Sequence, residues 1–118
     1  MTEDFETDCS NADAIYFHGG NTPTLLAALK DYGDIERLFT GKTVAGSSAG
    51  AYMLSAYGAA HTSEHFRQGL GILNVRVICH FESTELPPSP TSLAEIYSTH
   101  LDLPLVVLRD CESKVFFK

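Results

Sequence analysis

Lys42-Thr43-Val44-Ala45-Gly46-Ser47-Ser48-Ala49-Gly50-Ala51-Tyr52-Met53-Leu54 is the stretch whose reading decides the fold. It opens as a short buried strand, turns on small residues and continues as a helix. Within it stands Gly46-x-Ser48-x-Gly50, the pattern of a nucleophile elbow. A serine that presents its hydroxyl above a sheet sits on a strained strand-to-helix corner. Side chains two positions before and after it would collide, so glycines stand there. The following helix aims its first N–H groups at the same point, where negative charge develops during acyl transfer.

Outward from the elbow, strands and helices alternate. Ala12 to Phe17 reads as a strand ended by Gly19-Gly20. Thr22 is placed to cap a helix with Pro23 at its first position, and Leu25, Leu26 and Leu29 form its apolar stripe. Tyr32-Gly33 closes that helix, and Asp34 caps a shorter one containing Ile35, Leu38 and Phe39. After the elbow, Ala49 to about Tyr57 reads as helix and Gly58 to Gly71 as loop. Val75 to Phe81 reads as a strand with His80 at its C-terminal end. Three prolines between Glu85 and Pro90 exclude a helix interior or central strand there. Thr91 or Ser92 is placed to cap a helix through Leu93, Ile96 and Tyr97. Leu103 to Leu108 reads as a strand, Asp110 to Ser113 as a turn and Lys114 to Phe117 as a final strand. Residues 1 to about 11 read as a loose, acidic lead-in. The whole predicts one layered α/β domain over residues 1–118 with a mostly parallel sheet. In such sheets sites form at the C-terminal ends of strands, where Gly19-Gly20, Ser48 and His80 all fall.

Composition narrows the function classes. Hydrophobic residues make up 44% of the 118 and charged residues 19%, as in an ordinary globular chain. The net charge of -7 argues against a nucleic-acid surface, which needs clustered Lys and Arg. Cys9, Cys79 and Cys111 show neither zinc spacing nor a disulfide framework, so the expected compartment is reducing and cytoplasmic. No apolar run is long enough to span a bilayer, and the N-terminus carries no apolar signal stretch.

Serine needs an adjacent base near neutral pH, and His80 is the candidate. A carboxylate should orient that imidazole, and Glu64, lying between Ser48 and His80, is the best placed by chain order. Gly19, Gly20 and Asn21 are placed to offer a backbone N–H to the oxyanion, with Ala49 N–H as second donor. Ser47 is the rival nucleophile, though the glycine spacing favours Ser48. His61, Glu64 and His65 lack the spacing of a metal site, so no metal or cofactor is expected. Cys79 is no partner for His80, because neighbouring strand residues point to opposite faces.

Three segments together resemble peptidase family S51, which includes peptidase E and cyanophycinase. They are Asp13 to Thr22 followed by Leu25-Leu26, then Gly46-Ser47-Ser48-Ala49-Gly50-Ala51, then Gly69-Leu70-Gly71-Ile72-Leu73 with His80-Phe81. Leu105 to Phe117 resembles the family's closing strand pair. The resemblance implies a serine peptidase with a fold like class I glutamine amidotransferases, Ser48 as nucleophile, His80 as general base and an acid for which Glu64 matches by position. It implies a small peptide or isopeptide substrate of the Asp-X dipeptide kind. It also implies strands before Ala12 that this chain lacks, so a truncated form or a homodimer that completes the sheet is expected. Relatives carry an arginine-rich helix after the histidine; Glu82 to Glu85 and three prolines stand here instead. Arg67, near Glu64, is the arginine that would face the site.

Two other readings fit part of the sequence. His18-Gly19-Gly20 resembles the oxyanion motif of α/β-hydrolase esterases, although the intervals to Ser48 and His80 are too short for that fold. The other is a catalytically inactive S51-like module that binds a ligand or partner through an open sheet edge.

Overall fold

The computed structural model describes residues 3–30, 32, 34–61 and 64–117. Its elements are α1 (Glu3–Asn11), β1 (Ala14–Phe17), α2 (Thr22–Lys30), α3 (Ile35–Phe39), β2 (Thr43–Gly46), α4 (Ala49–Leu54), β3 (Ser55–Gly58), β4 (Arg67–Gln68), β5 (Leu73–Ile78), α5 (Pro90–Ser98) and β6 (Leu105–Val107). β1 and β2 pair in parallel, Phe17 opposite Gly46. A second sheet runs β4-β3-β5-β6, with β3–β5 and β5–β6 parallel and only β3–β4 antiparallel. The fold is therefore α/β with mostly parallel strands, as the alternation predicts.

α4 joins the two sheets. Its Met53 and Leu54 pack with Phe17, Leu26, Leu29, Ile35, Leu38 and Phe39. Its Tyr52 packs on Val77 and Cys79, from the opposite side of the chain to Ile78, which meets Ile96 of α5. The pleat of β5 thus separates two apolar layers, with α4 on one face and α5 on the other.

Several elements differ from the sequence reading, each for a physical reason. Met1 and Thr2 lie outside the described residues, and from Glu3 on the acidic lead-in is α1. Phe5 and Cys9 are one turn apart, Phe5 meets Tyr32 at 5.0 Å between ring centroids, and Cys9 is 3% exposed. The cap of α2 is Asn21, whose Oδ1 accepts from Thr24 N at 2.9 Å, one residue before the expected Thr22. Gly33 lies outside the described residues. Asp34 caps α3 by accepting from Arg37 N at 3.3 Å. α4 stops at Leu54, because Ser55 turns extended and its Oγ donates to Ala51 O at 2.8 Å. Ser55–Gly58 then joins the ladder as β3, so tertiary pairing replaces the expected last helical turn. The expected loop contains β4, which pairs with β3. Ser89, not Thr91 or Ser92, caps α5, with Pro90 at the first helical position. Residues 114–117 form no strand, and Phe117 is 95% exposed.

Arg76 of β5 ties these layers together. It is 7% exposed, and its guanidinium donates to Ile96 O at 2.7 Å, Leu103 O at 3.0 Å and Thr99 O at 3.3 Å. The cation meets the C-terminal end of α5, where helix carbonyls are unsatisfied. No helix among the described residues is long and apolar enough to cross a membrane.

Candidate active site

Ser48 sits between β2 and α4 with φ 54° and ψ −109°. A side chain with positive φ is strained, and the surroundings hold it there. A Cβ on Gly46 would lie 2.5 Å from the backbone of Gly50, and one on Gly50 would overlap the carbonyl of Phe17. The two glycines are therefore steric requirements of this corner. β1 runs beside it: Ser47 N donates to Phe17 O at 3.0 Å.

His80 follows β5, and its φ of 58° turns it away from the strand line. Its Nε2 lies 2.9 Å from Ser48 Oγ, and its Nδ1 lies 2.8 Å from Oδ1 of Asp110. Asp110 lies in the turn after β6, the strand next to β5. Hydrogen bonds, first with His80 and then with Ser83, hold its carboxyl below the usual carboxylate range. An ionised carboxylate only accepts, so Nδ1–H donates to Asp110 and Nε2 is left to accept from the serine hydroxyl. That is the tautomer a general base needs.

Two sets of contacts hold the imidazole. Tyr52, in the helix that starts at the serine, reaches the residue before His80: its hydroxyl donates to Cys79 O at 3.2 Å and accepts from Cys79 N at 3.1 Å. The distance between nucleophile and base is thereby bound to one buried side chain. Burial raises the Tyr52 hydroxyl far above its ordinary pKa, and pushes the Cys79 thiol up to about 11. Cys79 thus faces Tyr52 as a neutral thiol. On the solvent side Arg109 bonds Glu82 at 3.0 Å, and Arg109 N bonds Glu112 at 2.7 Å, linking the turns that carry His80 and Asp110. These are exposed contacts, so they order the turns more than they stabilise them.

Glu64 is not at the imidazole. Its carboxylate bonds Arg67 at 2.7 Å, and its carbonyl accepts from Ser89 Oγ at 2.8 Å. The carboxylate on His80 is Asp110, a residue the sequence reading placed in a turn without a role. The glycine segment does come to the serine: a Cβ on Gly19 would be 3.4 Å from Ser48 Cβ. Asn21 caps α2 with its side chain. The buried Ala49 is the first residue of α4, directly after Ser48. His61 lies against the imidazole, its ring 5.7 Å from that of His80. His65 turns outward to Glu95 at 3.0 Å. Among the described residues no cluster of His, Cys, Asp and Glu has the shape of a metal site.

The family model for Peptidase family S51 matches residues 1–116. The chain belongs to peptidase family S51. No curated protein and no solved structure matches it. S51 membership assigns a peptidase function at the family level. In this S51 chain the match takes in the elbow, the histidine and Asp110 together. Two hollows open near the glycine segment and α4. One of about 400 Å³ is bounded by Gly19, Leu25, Ala28 and Ala49. The other, of about 150 Å³, is bounded by Gly20, His61, Glu64 and Arg67.

Proposed function

We propose that this S51 protein is a serine peptidase that hydrolyses a small peptide or isopeptide bond, of the Asp-X dipeptide kind, through an acyl-enzyme on Ser48. The observation that carries this reading is the relay Ser48 Oγ–His80 Nε2–His80 Nδ1–Asp110 Oδ1, with contacts of 2.9 and 2.8 Å.

Ser48 Oγ attacks the scissile carbonyl carbon while its proton passes to His80 Nε2. The carbonyl oxygen becomes an oxyanion beside the Gly19-Gly20 backbone and Ala49 N–H. Asp110 keeps the imidazole oriented and balances the charge of its protonated form. The C–N bond breaks, and the imidazolium gives its proton to the leaving nitrogen. Water then attacks the ester carbonyl and passes a proton to His80. The serine–acyl bond breaks, and that proton returns to Ser48 Oγ, which restores the enzyme and releases the acid. Asp110, rather than Glu64, takes the role of the orienting carboxylate. No metal or cofactor enters any step.

The test is hydrolysis of an Asp-X dipeptide series by wild type, Ser48→Ala and His80→Ala, each shown to be folded by circular dichroism. The reading expects release of free aspartate by wild type and its loss in both variants. Turnover that survives in Ser48→Ala would refute it.

A further inference from the structure

The imidazole of His80 must keep one orientation through both proton transfers of an acyl-enzyme cycle. Its backbone conformation, with φ 58°, persists only where the surroundings fix it. The hydrogen bonds to Ser48 Oγ and Asp110 Oδ1 hold the two ring nitrogens and leave the ring carbons to packing. Asp110 is itself an exposed residue on a turn, so its bond is a soft anchor. The ring packed against His80 is that of His61, with centroids 5.7 Å apart and planes at 57°.

His61 is held in turn from several directions. Its ring lies 6.1 Å from that of Tyr52, whose hydroxyl already fixes the backbone of Cys79. Its Nδ1 lies 3.2 Å from Pro87 O. A carbonyl only accepts, so that nitrogen carries the proton and donates it. Its backbone bridges to Pro88, and Ser89 N donates to Ala60 O at 2.8 Å. The segment that arrives at His61 is the one that leaves His80. Its first turn is closed by Ser83 N on His80 O at 3.0 Å. Glu85 N and Leu86 N then donate to Ser83 Oγ at 3.3 and 3.2 Å, and Pro87 and Pro88 have φ fixed by their rings. Residues 80–88 therefore form a loop that starts at the base and ends on His61.

Resting on the serine peptidase reading, we propose that His61 is a positioning residue for His80: its ring backs the imidazole and keeps Nε2 on Ser48 and Nδ1 on Asp110. The ring is the working part, and the bond to Pro87 O sets its angle. His61 acts through His80 and gives or takes no proton in the reaction.

Two variants separate the ring from the hydrogen bond. His61→Phe keeps a ring and loses the donor. His61→Asn keeps a donor close to the place of Nδ1 and loses the ring. Each is first shown to be folded by circular dichroism. Two readouts follow: the rate at which a fluorophosphonate labels Ser48, and the downfield proton resonance of His80 Nδ1–H, assigned by its loss in His80→Ala. His61→Asn should slow labelling by roughly 10- to 100-fold, the scale of a small misplacement in an active site, and broaden the resonance. His61→Phe should stay close to wild type in both. Equal labelling of all three proteins, or labelling as slow in His61→Phe as in His61→Asn, would overturn the proposal. So would the reverse order, which makes His61 a tie for the loop and nothing more. Wild type that gains no adduct would sink the peptidase reading, and the resonance then decides alone. A signal lost in His61→Asn and kept in His61→Phe would leave the positioning role standing; a signal unchanged in His61→Asn would end it.

Discussion

Tyr52→Phe should weaken both the fold and the site, by amounts the contacts allow to be estimated. The tyrosine hydroxyl satisfies two buried backbone groups of Cys79, at 3.2 and 3.1 Å. Phenylalanine keeps the ring in the Val77–Cys79 layer and removes only the oxygen. A buried donor or acceptor left without a partner costs about 1–3 kcal/mol, so two such groups with partial relaxation should cost about 2–4 kcal/mol. A domain of this size has a stability of about 5–15 kcal/mol, so the variant should still fold. Urea denaturation reads the loss as a lower midpoint with an unchanged slope. The same bond holds the residue before His80, and a misplacement of about 1 Å in an active site can cost roughly 10²-fold in rate. Labelling of Ser48 by a fluorophosphonate should therefore slow markedly in folded Tyr52→Phe. An unchanged urea midpoint together with an unchanged labelling rate would refute the reasoning that Tyr52 ties the base to the nucleophile.

Asp110→Asn should lower kcat by roughly 10²–10⁴-fold, as in other triads, and more than Glu64→Gln lowers it; dipeptide kinetics check the order of the two. The folded pKa of Asp110 is depressed, so its pairing with His80 contributes stability above the ordinary carboxylate pKa of about 3.9. That contribution is lost as pH falls through the lower folded value, and acid unfolding curves of Asp110→Asn should lack it. Iodoacetamide at pH 8 should modify exposed Cys111 first, because Cys9 and Cys79 are buried with raised pKa values; peptide mapping before and after urea checks this. Arg76→Leu should destabilise by about 2–4 kcal/mol, since three carbonyls at the end of α5 and in the following loop lose their donor; thermal melts measure it.

The sequence made the elbow legible because sterics leave little choice there. Only glycine fits beside Gly50 and Phe17, so the serine between them announces its own geometry. His80 was legible as a polar residue ending an apolar strand. Asp110 was not, because nothing local marks it: it reaches His80 only through the parallel pairing of β5 with β6. The usable signal was a carboxylate just past the C-terminal end of the next strand, the rule that had already picked out Ser48 and His80. Glu64 satisfied chain order but had a closer partner in Arg67, three residues on. Ser55–Gly58 carries a pattern that continues a helix as well as it starts a strand, and only the ladder with β5 decides it. Val115-Phe116-Phe117 is β-prone, yet it pairs with none of the described strands. Tyr52 escaped notice because a tyrosine in an apolar helix face looks like packing until its hydroxyl is seen on a strand backbone.

The most direct measurement is the intact mass of the protein after treatment with a fluorophosphonate, with Ser48→Ala and His80→Ala as controls. An activated serine predicts one adduct on wild type, mapped to Ser48, absent in Ser48→Ala and strongly slowed in His80→Ala. Folded wild-type protein that gains no adduct, or labels equally well without His80, would contradict the account.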